Sequence, residues 1–214
     1  MKKLHSLSCP HSQCASQLVP TNGAVNFSNP ALSVVLAVKQ KIARPRQSIL
    51  EFGSGNLRNA IYLQGSLPTA RVYAYDLQPA VDRFPRQYKE FQSIGGIVIP
   101  RISHVQKYDI VICTFVVETI CPARARINAL ITIRALLHSD GLLVASIRGH
   151  GGVRGSTYHI CQSGDGLVSS HRTFIKPHSI SEAKTLLRSA GYNQVGFLQE
   201  YRVDTPENIH LTAR

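Results

Sequence analysis

The chain has 214 residues, 43% of them apolar, which is enough to bury a hydrophobic core and too many for a disordered chain. Its 24 Lys and Arg residues against 12 Asp and Glu residues give a formal net charge of +12, which favours anionic partners. The sequence shows neither a run of about 20 apolar residues nor an apolar segment after its first lysines, so we expect no membrane-spanning helix and no secretory signal.

The cysteines give little support to a disulfide framework or a metal site. Five cysteines, an odd number at irregular spacing, predict a reducing cytoplasmic location. Cys9, His11 and Cys14 are metal-ligand residue types, but the second ligand pair of a structural zinc site is missing. We therefore expect no metal.

Residues 1–46 are predicted to form an N-terminal arm and helix that act as a lid or cap. The first part of this segment is rich in Ser, Gln, Asn and Pro, and an apolar run over residues 31–38 follows it. That run predicts a helix with Ser28 or Asn29 near its cap, and Pro45 is expected to end it.

The remaining domain, residues 47–214, alternates short β-branched runs with helical stretches, which is typical of a parallel sheet covered on both faces. The predicted strands are residues 48–52, 71–76, 96–100, 108–114, 141–147 and 194–201. The predicted helices are residues 56–65, 80–93, 122–138 and 179–190, the last capped by Ser179 or Ser181. A glycine-rich segment, residues 148–172, is predicted to be a loop or hairpin insert.

The first strand-to-helix turn carries the pattern that indicates a ligand site. Gly53 and Gly55 allow a sharp turn and a close approach of a ligand to the backbone, and the next helix offers free N–H groups. Asp76 ends the second strand, where a carboxylate can accept hydrogen bonds from both hydroxyls of a ribose. Arg58 stands where a dinucleotide-binding fingerprint has its third glycine. These residues predict a nucleoside-containing ligand at the carboxyl ends of a parallel sheet.

Residues 49–56 resemble the first motif of class I S-adenosylmethionine-dependent methyltransferases. Glu51 matches the acid of that motif, and Gly53 and Gly55 match its first two glycines. Leu57 stands where the family often has a third glycine.

Further segments resemble the family in the family's own order: Asp76, residues 108–120, residues 138–146 and the stretch from Arg172 to Tyr192. The resemblance covers residues 47–201. It implies a single α/β, Rossmann-like, doubly wound fold with a mostly parallel seven-stranded sheet. The antiparallel last strand of that sheet is placed at residues 194–201.

The same resemblance implies S-adenosylmethionine as the cofactor. Asp76 would hold the ribose, Leu77 would flank the adenine, and Cys113 and Thr114, after the fourth strand, would face the methyl group. The residues implied for binding the cofactor are Glu51, Gly53, Gly55, Asp76, Leu77, Ile102, Ser103, Cys113 and Thr114.

Methyl transfer from a sulfonium is an in-line displacement, so the protein aligns the acceptor with the methyl group and excludes water. A base is needed where the acceptor must lose a proton. The candidates for that base are His150, Tyr158 and His159, in or beside the insert. The candidates for binding the acceptor are Glu118, Arg148 and Arg154.

The acceptor is predicted to be a small molecule that is methylated on oxygen or nitrogen. The basic charge of the chain leaves room for an anionic acceptor. Residues 113–116 lack the Asp/Asn-Pro-Pro-aromatic pattern of amino-methylating DNA methyltransferases, and the chain has no Trp for base stacking. The net charge of +12 favours the alternative of an RNA or DNA methyltransferase. Leu57 in place of a glycine keeps a non-catalytic Rossmann-like subunit as a third hypothesis. The sequence leaves the oligomeric state open.

Overall fold

The β-branched runs of the sequence form a central mixed sheet, and the amphipathic segments between them form the helices that cover it. The computed structural model describes residues 29–153, 158–161, 164–169, 174–200 and 206–214. The helices are α1 (Leu32–Lys39), α2 (Arg58–Ser66), α3 (Gln78–Arg83), α4 (Pro85–Ser93), α5 (Ala123–Ala135) and α6 (Ile180–Ser189). Among the described residues, no helix exceeds 13 residues, so none is long and apolar enough to cross a membrane.

The strands form a seven-stranded sheet and a smaller three-stranded one. They are β1 (Ser48–Phe52), β2 (Arg71–Tyr75), β3 (Ile97–Val98), β4 (Tyr108–Thr114), β5 (Leu137–Arg148), β6 (Tyr158–Ile160), β7 (Leu167–Ser169), β8 (Phe174–Ile175), β9 (Val195–Phe197) and β10 (Asn208–Ala213). The large sheet has the order β3-β2-β1-β4-β5-β10-β9. Its first five strands are parallel, and β10 is antiparallel to both β5 and β9.

The strand order reverses between β1 and β4, which are neighbours in the sheet although β2 and β3 lie between them in the chain. In open α/β sheets, ligands bind in the crevice at the carboxyl ends of the strands where this reversal occurs. The fold therefore directs the search for a site to the residues that follow β1 and β4.

Two hydrophobic cores hold the helices on the sheet, one on each face. The core under α1, α2 and α4 includes Val34, Leu57, Leu63, Phe91 and Ile112. The core under α5 and α6 includes Leu130, Ile133, Leu143, Leu187 and Leu211. These helices cover both faces of the sheet, as the continuous apolar strands of the sequence predict.

Helix α1 forms where the apolar run predicts it, but both of its ends differ from the prediction. Ala31 is the N-cap residue and no side chain caps the helix; the Ala31 N–H instead bonds to the side-chain oxygen of Asn59 on α2, at 2.7 Å. The helix ends at Lys39, well before Pro45. A tertiary contact therefore replaces the local cap that the sequence suggested.

The antiparallel strand of the large sheet is also not where the sequence analysis placed it. The segment 194–201 yields only the three-residue edge strand β9. The antiparallel position beside β5 belongs to β10, which pairs with β5 along six residues. Six pairs beside a central strand bury more backbone than three pairs at the edge, which explains why β10 takes this position.

Two helical predictions are corrected or refined in the same way. The helix predicted over residues 80–93 is broken into α3 and α4, because Pro85 takes Phe84 out of the helical region. Helix α6 begins with Ser179 in a capping box with Glu182, so Ser179 and not Ser181 is the cap.

The insert forms a β6–β7–β8 meander that ends at Ile175.

Candidate functional site

The loop after β1 adopts a backbone that few sequences permit. Gly53, Gly55 and Leu57 all have positive φ angles, of +75°, +52° and +62°. A Cβ atom on Gly53 would lie 2.4 Å from a methyl carbon of Val116, so both the backbone angle and the space require glycine there. Leu57 takes the left-handed conformation at the position where the resemblance implied a third glycine, and its side chain is fully buried. The loop therefore keeps its shape without that glycine.

Asp76 joins this loop to the end of β2. One carboxylate oxygen accepts a hydrogen bond from the Gly55 N–H at 2.6 Å, and the other accepts one from the Leu77 N–H at 2.7 Å. Burial raises the pKa of Asp76, and these two N–H groups oppose the rise. Leu77 beside it exposes 43% of its surface. A half-buried acid next to an exposed apolar side chain suits a ribose attached to a flat ring.

Glu51 lies under the loop and organises the start of α2. Its two oxygens accept hydrogen bonds from the side-chain amide of Asn59 at 2.7 Å and from the Ala60 N–H at 2.9 Å. The side chain is only 1% exposed, and burial raises its pKa to about 8 against the opposing effect of these bonds. In this structure Glu51 therefore holds the first turn of α2, which follows the loop, by two hydrogen bonds.

Asn59 is a residue that the sequence analysis missed. Its amide nitrogen donates to Glu51 and, at 3.0 Å, to the hydroxyl of Thr114, while its oxygen accepts the Ala31 N–H. The side chain thus links α2 to β1, β4 and α1. The sequence signal is weak, a polar residue in a short helix that also carries Gln64, and the partners of Asn59 are 8, 55 and 28 residues away.

Cys113 and Thr114 are the last two residues of β4, as the predicted strand 108–114 has them, and not residues after the strand as the resemblance implied. Cys113 is fully buried in the core under α5, and burial raises the pKa of its thiol, so its side chain is a packing residue. The first residue after β4 is Phe115, which has a φ of +58°. The Arg148 guanidinium lies 5.1 Å from the centre of its ring. A strained aromatic residue at this edge marks a place where the backbone is held against its preference.

Glu118 lies in a short turn, residues Val117–Thr119, that follows β4. It is 1% exposed, and its Oε2 atom has no hydrogen-bond partner among the described residues. Burial raises its pKa to about 7, opposed by its own backbone and by the charge and backbone of Arg148. The Lys176 N–H donates to the Glu118 carbonyl at 2.8 Å, so the chain after β8 closes over this turn. The turn therefore holds a buried carboxyl group with capacity for one more hydrogen bond.

The other predicted residues are more scattered. Ile102 is half-buried and Ser103 exposed in the loop after β3. His150 is exposed and lies 3.4 Å from a carboxylate oxygen of Glu182, while Tyr158 begins β6. The side chain of His159 and the whole of Arg154 lie outside the described residues, as does the Cys9, His11 and Cys14 group.

One sequence comparison finds a match to the part of the chain that carries most of this site. Residues 50–143 match a family model described as a methyltransferase domain. A comparison with curated protein sequences gives no match.

Solved structures share the fold at low sequence identity. The CcbJ methyltransferase from Streptomyces caelestis has a TM-score of 0.66 and 14% identity, over 86% of this chain and 90% of that chain. An S-adenosylmethionine-dependent methyltransferase from Clostridium acetobutylicum has a TM-score of 0.62 and 11% identity, over 85% and 89%. The 1,6-didemethyltoxoflavin-N1-methyltransferase from Burkholderia thailandensis, with bound 1,6-didemethyltoxoflavin and S-adenosylhomocysteine, has a TM-score of 0.57 and 18% identity, over 85% and 75%.

Other neighbours are longer proteins. The chain spans 55% of a protein from Nostoc punctiforme, 54% of the methyltransferase SibL and 53% of the pyocyanin biosynthetic protein PhzM. The matched segment contains the β1 loop, Asp76 and β4, and the structural neighbours show that the fold of this chain is one that methyltransferases also have.

Because Leu57 has a left-handed backbone, glycine should destabilise the protein less than alanine at this position, the opposite of the usual order in a helix. Leu57→Ala should lower the free energy of unfolding by about 3 kcal/mol, because it empties a buried position. Leu57→Gly should be less destabilising than Leu57→Ala by about 1 kcal/mol, because glycine adopts this φ without strain. Urea denaturation of both variants measures the difference. The control is Ala129→Gly, at a half-buried position inside α5, which should cost about 1 kcal/mol. A Leu57→Gly variant less stable than Leu57→Ala would contradict the assignment of strain.

The buried carboxyl group of Glu118 should make stability depend on pH. Because its folded pKa, about 7, lies above the ordinary value of 4.5, the folded state binds more protons between these values. Stability therefore falls as the pH rises from about 4.5 through 7, by on the order of 3 kcal/mol for a shift of this size. Glu118→Gln should shrink the decrease in Tm between pH 5 and 8, and Glu51, with a pKa of about 8, should account for a remaining decrease.

Glu182→Gln is the control for this experiment. The Ser179 contacts and Lys176 lower the pKa of Glu182 to about 2 although burial opposes them, so its stabilising effect is complete at pH 5 and above. This variant should lower Tm by a similar amount at every pH from 5 to 8. An unchanged pH profile in Glu118→Gln would show that Glu118 does not titrate in this window.

Proposed function

We propose that this methyltransferase domain uses S-adenosylmethionine to methylate an oxygen or nitrogen atom of a small-molecule acceptor. The observation that carries the proposal is the contact between Asp76 and Gly55, which joins a half-buried carboxylate to a left-handed glycine loop at the carboxyl ends of neighbouring strands. That arrangement suits a ligand with a ribose and a polar chain.

The described residues fit such a cofactor. The left-handed loop over Gly53 and Gly55 lies at the carboxyl end of β1 and leads directly into α2, where a ligand can approach the backbone. Each Asp76 oxygen keeps a lone pair for a ribose hydroxyl, because each accepts one backbone N–H. Leu77 would pack against the adenine, and Ser103 and Ile102 would lie at its edge. When bound, the cofactor supplies an electrophilic methyl group on its sulfonium.

We place the acceptor beside the residues that follow β4 and beside Arg148, the last residue of β5. Phe115 offers an aromatic ring, Arg148 a guanidinium above that ring, and Glu118 an oxygen with an open lone pair. Glu118 would accept the proton that an acceptor O–H or N–H loses, since a base with a pKa near 7 suits proton transfer at neutral pH. His150, Tyr158 and His159 stay alternative bases, and Arg154 stays a predicted anion contact.

A small acceptor is supported over a nucleic acid by two observations. The structural neighbour from Burkholderia thailandensis holds 1,6-didemethyltoxoflavin together with S-adenosylhomocysteine. Furthermore, a group of exposed cations gathers at the amino ends of the parallel strands, on the edge of the sheet opposite the residues that follow β1 and β4. The net charge therefore gives little support for a nucleic acid lying across this site.

Calorimetric titration with S-adenosylmethionine and S-adenosylhomocysteine tests the cofactor. Asp76→Asn should weaken binding of both by about 10- to 100-fold, because it removes charge-assisted hydrogen bonds to the ribose worth roughly 1.5–3 kcal/mol. Asp82→Asn, an exposed acid on α3, is the matched control and should bind both like the parent protein.

Three results would redirect the proposal. Equal binding by Asp76→Asn and the parent protein would mean that the ribose site is assigned to the wrong residue. If the parent protein binds neither compound, a non-catalytic subunit becomes the favoured hypothesis. If it binds both but methylates no member of a panel of small phenols and heteroaromatic N–H compounds, the acceptor class is wrong.

A further inference from the structure

The edge of the sheet opposite the proposed active site is strongly basic. Because β1, β2, β4 and β5 are parallel, their amino ends lie together on this edge. The α1–β1 loop and the C-terminal end of α5 also reach it, the latter through the Lys107 ammonium group, which bonds to the Ala135 carbonyl. The exposed cations here are Lys41, Arg44, Arg46, Arg71, Lys107 and Arg134, which we call the basic edge.

Little acidic charge neutralises these cations. Of the 11 Asp and Glu residues in the described part of the chain, Asp109 and Asp140 lie at the amino ends of β4 and β5. The Oδ2 atom of Asp109 accepts hydrogen bonds from the N–H and the hydroxyl of Ser48, both at 2.7 Å, and its carboxylate also interacts with the charge of Arg71, so it offsets part of that charge. With six exposed cations and two acids, the basic edge therefore has an excess of positive charge.

The loop that carries three of these cations is built to present them. The Arg44 N–H bonds to the Gln47 side chain, and the Arg44 Nε bonds to the Lys41 carbonyl, both at 2.7 Å. These contacts fix the loop between α1 and β1 without using a carboxylate. The three side chains thus stay exposed and unneutralised by a local acid.

The spacing fits an extended polyanion. Arg71, the Arg44–Arg46 loop and Lys107 stand at the starts of β2, β1 and β4, which are neighbours in the sheet. Adjacent strands are about 4.8 Å apart, so with Arg134 on α5 the cations extend over roughly 15–20 Å. A small anion would occupy one or two of them, whereas a run of backbone phosphates would occupy the whole row. Tyr108, the aromatic residue at the start of β4, is buried and so not available for base stacking.

We propose that the basic edge is a docking surface for the phosphate backbone of a nucleic acid, separate from the methyl-transfer site. The contact is sequence-independent, because it rests on charge rather than on base edges. It places a nucleic acid on the side of the sheet away from Asp76 and Glu118. The nucleic acid is therefore a partner that locates the protein and not the methyl acceptor.

Fluorescence anisotropy with a labelled 20-nucleotide single-stranded RNA and a 20-base-pair DNA tests this proposal. A triple variant, Lys41→Gln, Arg44→Gln and Arg46→Gln, should weaken binding at least tenfold at 100 mM salt. It should also lower the slope of log affinity against log salt by about 2 to 3. The matched control replaces Arg83, Arg86 and Lys89 on α3 and α4, which are equally exposed and carry the same charge. It should retain most of the affinity.

The other outcomes each overturn the proposal. Equal losses in both triple variants would show that net charge, not the basic edge, drives binding. Binding to vesicles with 30% phosphatidylserine but to neither nucleic acid would make the partner a lipid surface. The absence of nucleic-acid binding at 100 mM salt would remove the docking function. Titration with S-adenosylhomocysteine, expected to be unchanged in the basic-edge variant, keeps this result distinct from failure of the proposed methyl transfer.

Discussion

The amide group of Asn59 is the contact on which the candidate site depends. It joins α2 to β1 through Glu51, to β4 through Thr114 and to α1 through the Ala31 N–H. All of these groups are buried, where an unpartnered polar atom is costly, so each bond holds its element in place. The left-handed loop above Glu51 is anchored from below by this network and from the side by Asp76.

The same network relates the N-terminal helix to the site. Helix α1 is attached at its start by Asn59 and two residues later by a buried contact of 2.5 Å between the hydroxyls of Ser33 and Ser146. Ser146 in turn contacts a ring nitrogen of His210 at 2.9 Å. Polar contacts thus fix α1 across β5 and β10, in addition to its apolar face. The start of α1 therefore lies beside Asn59, close to the candidate site.

The sequence predicts much of this fold because its signals are local. Five-residue apolar runs with stops at Gly53 and Asp76, and the run that ends at Thr114, define the strands that form the site edge. Contacts between distant segments were not predictable in the same way. The family resemblance placed the antiparallel strand at residues 194–201, the last strand predicted from the sequence. The pairing with β5 in fact selects β10.

The same difference between local signals and long-range contacts decides which site residues could be predicted from the sequence. Gly53, Gly55 and Asp76 could be found because a turn and a strand end leave signals in neighbouring residues. Asn59 could not, because its partners are far apart in the chain. Phe115 is a further example, since its positive φ depends on β4 ending against β5 rather than on any residue preference. Asn59 shows that a polar residue on the side of a helix that faces the sheet can indicate a buried hydrogen-bond network.

The position of the charged residues in the parallel sheet says more about possible partners than the net charge does. As a sum, +12 favours any polyanion, including a nucleic-acid substrate. The parallel sheet has two edges, however, and it separates the residues that end its strands from those that begin them. Buried carboxyl groups, Glu51 and Glu118 among them, follow or end strands at one edge, whereas exposed cations precede strands at the other. Because exposed charges further apart than about 8 Å interact weakly at physiological salt, the two edges act as independent electrostatic surfaces. A nucleic acid on the basic edge would therefore lie outside the electrostatic reach of the candidate site, and a small ligand at that site would not compete with it.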